Sequence, residues 1–186
     1  MVPRSPLTCH PQTSTDAVRA IHAEVSRSAD ALRLTFLLVG DLGRLRIPPL
    51  GRVQAGRDLW RHTCFEAFIA VAGAAPYHEL NLAPSAEWTV YAFDGYRDGG
   101  PLRDVARPPR IVVGADHGEL ELDALIDLGA LSPAYPTAPL RLALASVVEE
   151  TSGALSYWAL RHPPGAPDFH HADGFVLALE PPDAPW

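Results

Sequence analysis

Cys64-Phe65-Glu66-Ala67-Phe68-Ile69-Ala70-Val71 and, after a turn at Gly73 to Pro76, Tyr77-His78-Glu79-Leu80-Asn81-Leu82 carry the pattern that decides the fold. Successive side chains of an extended chain point to opposite faces, so Phe65, Ala67, Ile69 and Val71 form one apolar side. Glu66 therefore shares the other side with Cys64 and Phe68. In the second run Leu80 and Leu82 mark the buried side, and Tyr77, Glu79 and Asn81 lie together opposite them. Two such runs joined by a short Gly/Pro turn predict adjacent strands with one apolar and one polar face.

Working outward, the same period of two recurs along the chain. Val18 to Ser26 and Ala31 to Val39 flank a turn at Ser28-Ala29-Asp30, and the second run alternates through Leu32, Leu34, Phe36 and Leu38. Glu87 to Phe93, Leu140 to Glu149, Leu155 to His162 and the run through Phe175, Leu177 and Leu179 are further strands. Ile111 to Val113 and Glu119 to Leu125 flank Asp116-His117-Gly118, a hairpin signal. Leu125 to Leu131 suits one helical turn. The segments 40–61 and 96–108 have no sustained period and are expected as loops, the first covering the sheet or offering arginine donors to a ligand. About ten short strands with little helix predict an all-β fold, a jelly-roll-like β-sandwich of two antiparallel sheets. Residues 1–15 are expected to be a loosely ordered lead-in, 16–181 a single domain and 182–186 a proline-rich tail.

Composition bounds the partners. A chain of 186 residues suits one core. Its formal charge of -7 argues against nucleic-acid and anionic-membrane partners, which need a cationic face. All fifteen basic residues are arginine, so Schiff-base chemistry, a P-loop lysine and a lysine haem ligand are excluded. The single methionine, Met1, leaves no interior methionine for haem. Cys9 and Cys64 are far apart and read as reduced thiols. With no signal-peptide pattern and no apolar run of roughly 18 residues, the expected location is the cytoplasm.

The motifs G-x-S-x-G, H-E-x-x-H, G-x-G-x-x-G and paired C-x-x-C are absent, which lowers the prior for the enzyme classes they mark. The polar face is the positive signal. Glu66, Tyr77, Glu79 and Asn81, joined by Tyr157 and Arg161 from the later strand, combine carboxylate, amide, phenol and guanidinium groups. Such a set hydrogen-bonds hydroxyls while an aromatic ring covers the C–H face of a sugar; the competing reading is a solvent-facing sheet with cross-strand ion pairs. Trp60, at the end of the arginine-rich loop, is the candidate stacking ring, and Trp158 is assigned to the core. His162, Asp168, His170 and His171 are weak candidates for metal or haem ligation, set against a role in holding their loop to the sheet. Glu66 and Glu79 could also serve as an acid/base pair, although their separation is not legible.

Leu59-Trp60-Arg61-His62-Thr63-Cys64-Phe65-Glu66-Ala67-Phe68-Ile69 followed by Tyr77-His78-Glu79-Leu80-Asn81-Leu82-Ala83-Pro84-Ser85 resembles the pattern of the DOMON-like superfamily, which includes family 9 carbohydrate-binding modules and haem- or sugar-binding domains. Tyr157-Trp158-Ala159-Leu160-Arg161-His162-Pro163 with Pro167-Asp168-Phe169-His170 looks like the end of a bacterial, stand-alone subgroup. The resemblance spans about 18–180. It implies a jelly-roll sandwich that binds a small carbohydrate-like ligand without catalysis, with Trp60 stacking and Glu66, Glu79, Asn81 and Arg161 on hydroxyls. No cofactor is expected; for haem, only bis-histidine ligation would be open.

Overall fold

The computed structural model describes residues 2–182, so Met1 and residues 183–186 of the expected tail lie outside the described residues. In chain order the strands are β1 (Val2–Cys9), β2 (Val18–Arg27), β3 (Ala31–Gly40), β4 (Gln54–Ala55), β5 (Cys64–Val71), β6 (Tyr77–Leu82), β7 (Glu87–Gly95), β8 (Asp98–Pro101), β9 (Arg110–Asp116), β10 (Glu119–Asp127), β11 (Leu140–Glu149), β12 (Leu155–Ala159) and β13 (Leu177–Leu179), with one short helix, α1 (Leu128–Leu131). The ten expected strands are present, and β1, β4 and β8 are additional. Helix accounts for 7% of the fold, so no helical layer covers the sheet.

The strands form one curled, mixed sheet in a half-barrel, ordered β4-β7-β6-β5-β11-β12-β1-β2-β3-β10-β9, with β8 on β7 and β13 on β11. Where the sequence predicts two antiparallel sheets, the hydrogen bonding runs continuously from strand to strand. The reason is β1, which pairs with β2 through Leu7↔Ile21 and with β12 through Thr8↔Ala159 and Cys9↔Trp158. β4 adds the parallel pairing, on β7. The segment expected as a loosely ordered lead-in therefore contains a joining strand. Its prolines argue against a central strand; the register shifts between Val2 and Ser5, where Pro3 lies, while Pro6 pairs with His22 in regular register.

Burial divides the sheet into two kinds of strand. β2, β3 and β10 alternate between buried and more exposed positions, as strands with one core face must. β5 and β11 are buried along almost their whole length, which requires cover on both faces. On one face Phe65, Ile69, Leu80 and Leu82 meet Ile21, Leu34, Phe36 and Leu38 in the main core, with Phe36 and Phe65 stacked at 5.0 Å. Trp158 belongs to this core at 7% exposure, as its alternation requires. On the other face Phe68, Tyr77 and Phe93 form a smaller cluster closed by Phe169 and Phe175 from the chain after β12. The hairpin at Asp116-His117-Gly118 has positive φ at both His117 and Gly118, the primed-turn geometry that matches strand twist.

Candidate functional site

Strand register explains why the second face gathers polar groups. Glu66 lies opposite Asn81 and Phe68 opposite Glu79 across β5 and β6. Asn81 then faces Thr89, Glu79 faces Tyr91 and Tyr77 faces Phe93 across β6 and β7. On the other side of β5, Ala145 faces Glu66, and Val147 pairs with Tyr157 on β12. Alanines at 143, 145 and 159 are buried on the same face, in the cluster around Phe68.

A cavity of about 750 Å³ opens there. Glu66, Glu79, Tyr91, Phe93, Val147 and Tyr157 line it from the sheet, Trp60 and Arg61 from the loop before β5, and Phe169 and His170 from the chain after β12. Gly99 and Gly100 of β8 and Arg97 of the preceding turn also line it. A Cβ at Gly99 would run into the Ala92 carbonyl, so the close approach of β8 to β7 needs glycine there. Trp60 remains 43% exposed, and the Arg61 guanidinium sits 4.8 Å from its ring centroid.

The two carboxyls have unequal surroundings. Glu79 Oε1 accepts from the Asn81 amide at 2.6 Å, and Asn81 Oδ1 accepts a weak bond from the Cys64 thiol at 3.5 Å. Glu66 is 3% exposed, and its Oε1 is buried with no hydrogen-bond partner. Burial, reinforced by Glu79, pushes the Glu66 carboxyl well above the usual range. Burial raises Glu79 too, against the opposing pull of Asn81 and Arg97. The Cys64 thiol is pushed up by burial and then by Glu66, so it is no thiolate nucleophile near neutral pH.

One wall is built by a relay of hydrogen bonds. The Arg97 backbone N–H donates to the Tyr77 hydroxyl at 3.1 Å, and that hydroxyl lies 2.8 Å from His170 Nδ1. The hydroxyl oxygen thus joins the Arg97 backbone to the His170 ring. Nε2 faces Glu79 Oε2 at 3.6 Å. Burial first, then the Arg97 charge, lowers His170 to about 4, so the ring is neutral near pH 7. Arg97 adopts φ 54, a strained region for a residue with a side chain. Its guanidinium donates to Asp168 at 2.8 Å, and the Tyr96 hydroxyl donates to the same carboxylate at 2.7 Å.

Of the residues singled out by sequence, the structure brings Trp60, Glu66, Glu79 and Tyr157 to the cavity. Asn81 is fully buried behind Glu79, and Tyr77 supports His170 from the same face. Arg161 is exposed and outside the cavity lining, because β12 ends at Ala159 and the alternation stops with it. Arg97 supplies the guanidinium in its place.

The four weak metal candidates separate. His162 Nε2 donates to the Thr8 carbonyl at 2.8 Å, Asp168 accepts from Arg97 and Tyr96, His170 joins Tyr77, and His171 accepts from the Asp173 N–H at 3.2 Å. Among the described residues no group of three or more His, Cys, Asp or Glu side chains is placed to hold a metal ion.

Sequence reasoning missed Arg97, Tyr91, Phe93 and Phe169, and read His170 as a weak metal candidate or a group that holds its loop to the sheet. Tyr91 and Phe93 were within reach, since they alternate with Trp88 and Val90 on β7. Nothing local marks Arg97, whose position depends on a tight turn between β7 and β8 and on a carboxylate 71 residues away.

No family model matches the chain, and no curated protein matches its sequence. A proposed carbohydrate-binding protein from Bacteroides uniformis ATCC 8492 superposes with a TM-score of 0.70 at 13% identity, over 94% of this chain and 84% of that one. A family 9 carbohydrate-binding module from Caldicellulosiruptor kristjanssonii, solved in complex with glucose, aligns with a TM-score of 0.49 at 12% identity, over 82% of this chain and 71% of that one. The chain shares the fold of the Bacteroides uniformis protein.

Proposed function

We propose that this chain is a non-catalytic binding protein that holds a small sugar or sugar derivative in the cavity over Glu66 and Glu79. The observation that carries this reading is the Glu66 carboxyl, buried beneath the cavity with Oε1 unpartnered. An unmet buried polar atom costs about 1–3 kcal/mol, which a bound hydroxyl would offset. Trp60, Tyr91 and Tyr157 offer ring faces to apolar C–H surfaces, while Glu79 and Arg97 offer further polar contacts. The role proposed for the Bacteroides uniformis protein agrees with this reading.

The reading extends to a DOMON-like protein whose curled sheet closes as a jelly-roll sandwich, acting in the cytoplasm. The unpaired Cys9 and Cys64 suit a reducing compartment. Calorimetric titration with a broad panel of soluble sugars tests the binding role, and saturable heat is the expected outcome.

A second reading is favoured by one observation. Both carboxyls are pushed upward by burial, which suits an acid/base pair acting on a sugar derivative. Release of nitrophenol from aryl glycosides by the wild type, lost in Glu66→Gln, would favour this reading over binding alone.

A further inference from the structure

We propose that the ligand of this site carries an ammonium group, as an amino sugar does, seated on Glu66 within the aromatic walls. The inference rests on the sugar-binding reading and narrows its ligand class.

Glu66 has a buried oxygen with no partner and no ion pair. Glu66 shares its cavity with Glu79 from β6, Tyr91 from β7, Tyr157 from β12, Arg97 from the β7–β8 turn and His170 from the C-terminal segment, and its charge bears on Cys64 on its own strand. Only Arg97 is a fixed cation in that set, and its guanidinium is engaged by Asp168 at 2.8 Å. The Asn81 amide is committed to Glu79. The His170 ring is engaged with the Tyr77 hydroxyl through Nδ1 and stays neutral near pH 7. Arg61 is turned onto the face of Trp60 at the cavity mouth. The Arg97 charge reaches both buried carboxyls but forms its ion pair with Asp168, which leaves Glu66 with no cation in contact.

An ammonium brings three donors and a charge, where a neutral hydroxyl brings one donor. The rings of Tyr91 and Tyr157, which line the cavity, carry the negative quadrupole that attracts such a group. In the free protein a proton neutralises Glu66, since burial and Glu79 raise that carboxyl. A bound ammonium replaces the proton, which leaves to the buffer.

The test is calorimetry near neutral pH with glucosamine, N-acetylglucosamine, glucose and ethanolamine, repeated in buffers of different ionisation enthalpy. Glucosamine is expected to bind about tenfold or more tightly than its acetylated form, with release of up to about one proton. Glu66→Gln should abolish that preference, near-UV circular dichroism confirming the fold, and the wild-type ligand comparison decides even if the variant misfolds. N-acetylglucosamine or glucose binding as tightly as glucosamine overturns the inference and leaves the sugar reading standing. Ethanolamine binding without any sugar supports the ammonium seat and overturns the sugar reading. No heat from all four overturns both.

Discussion

The Tyr77 hydroxyl lies 2.8 Å from Nδ1 of His170, a contact between positions 93 residues apart that fastens the C-terminal segment to β6. Tyr77 is 4% exposed, and its oxygen also accepts from the Arg97 backbone. Tyr77→Phe leaves both partners unmet in a buried place. A loss of about 1–2 kcal/mol in urea unfolding is expected, with an unchanged slope. Full stability in the variant would show that solvent reaches both groups.

His170 makes the fold sensitive to mild acid. Its folded pKa is lowered to about 4, chiefly by burial, so between its ordinary value of 6.5 and about 4 the unfolded chain takes up a proton that the folded chain refuses. The stability this confers is complete above the ordinary value and is lost as the pH falls through the window, by up to about 3 kcal/mol. Melting temperatures of His170→Gln should decline less steeply over that range than those of the wild type. Parallel declines would remove His170 as the cause.

Glu66 acts in the opposite sense. Its folded pKa is raised, so above the ordinary carboxyl range the folded chain holds a proton that the unfolded chain has released, and stability falls as pH rises toward the folded value. Glu66→Gln should melt higher than the wild type near neutral pH, and the gap should close toward acid. A gap independent of pH would mean that Glu66 does not titrate differently on folding.

Trp60 and the two arginines separate binding from stability. Because Trp60 is 43% exposed, Trp60→Ala should change unfolding stability by no more than about 0.5 kcal/mol. Sugar affinity should still drop by about tenfold through loss of the stacking face. Arg97→Ala is expected to weaken binding, and Arg161→Ala, outside the cavity lining, to leave it unchanged. The reverse order for the arginines would move the site toward β12.

The β-rich class and the face shared by Glu66, Tyr77, Glu79 and Asn81 were legible because a period of two survives in a single sequence. Trp158 was placed inward by the same rule. The union of the strands into one sheet was not legible, since it depends on β1, whose prolines conceal it. Arg161 lies outside the cavity lining because alternation carries meaning only as far as the strand runs, and β12 stops two residues earlier. The cover over the polar face comes from the segments around Arg97 and His170. Their approach is governed by long-range hydrogen bonds that leave no local pattern.

Isothermal titration of the wild type and Glu66→Ala against a panel of soluble sugars and amino sugars tests the cavity most directly. The predicted result is saturable heat at about one ligand per chain for at least one sugar, with affinity weakened by about 1–3 kcal/mol in the variant. No heat across the panel, or equal affinity in a folded Glu66→Ala, would contradict sugar binding over Glu66.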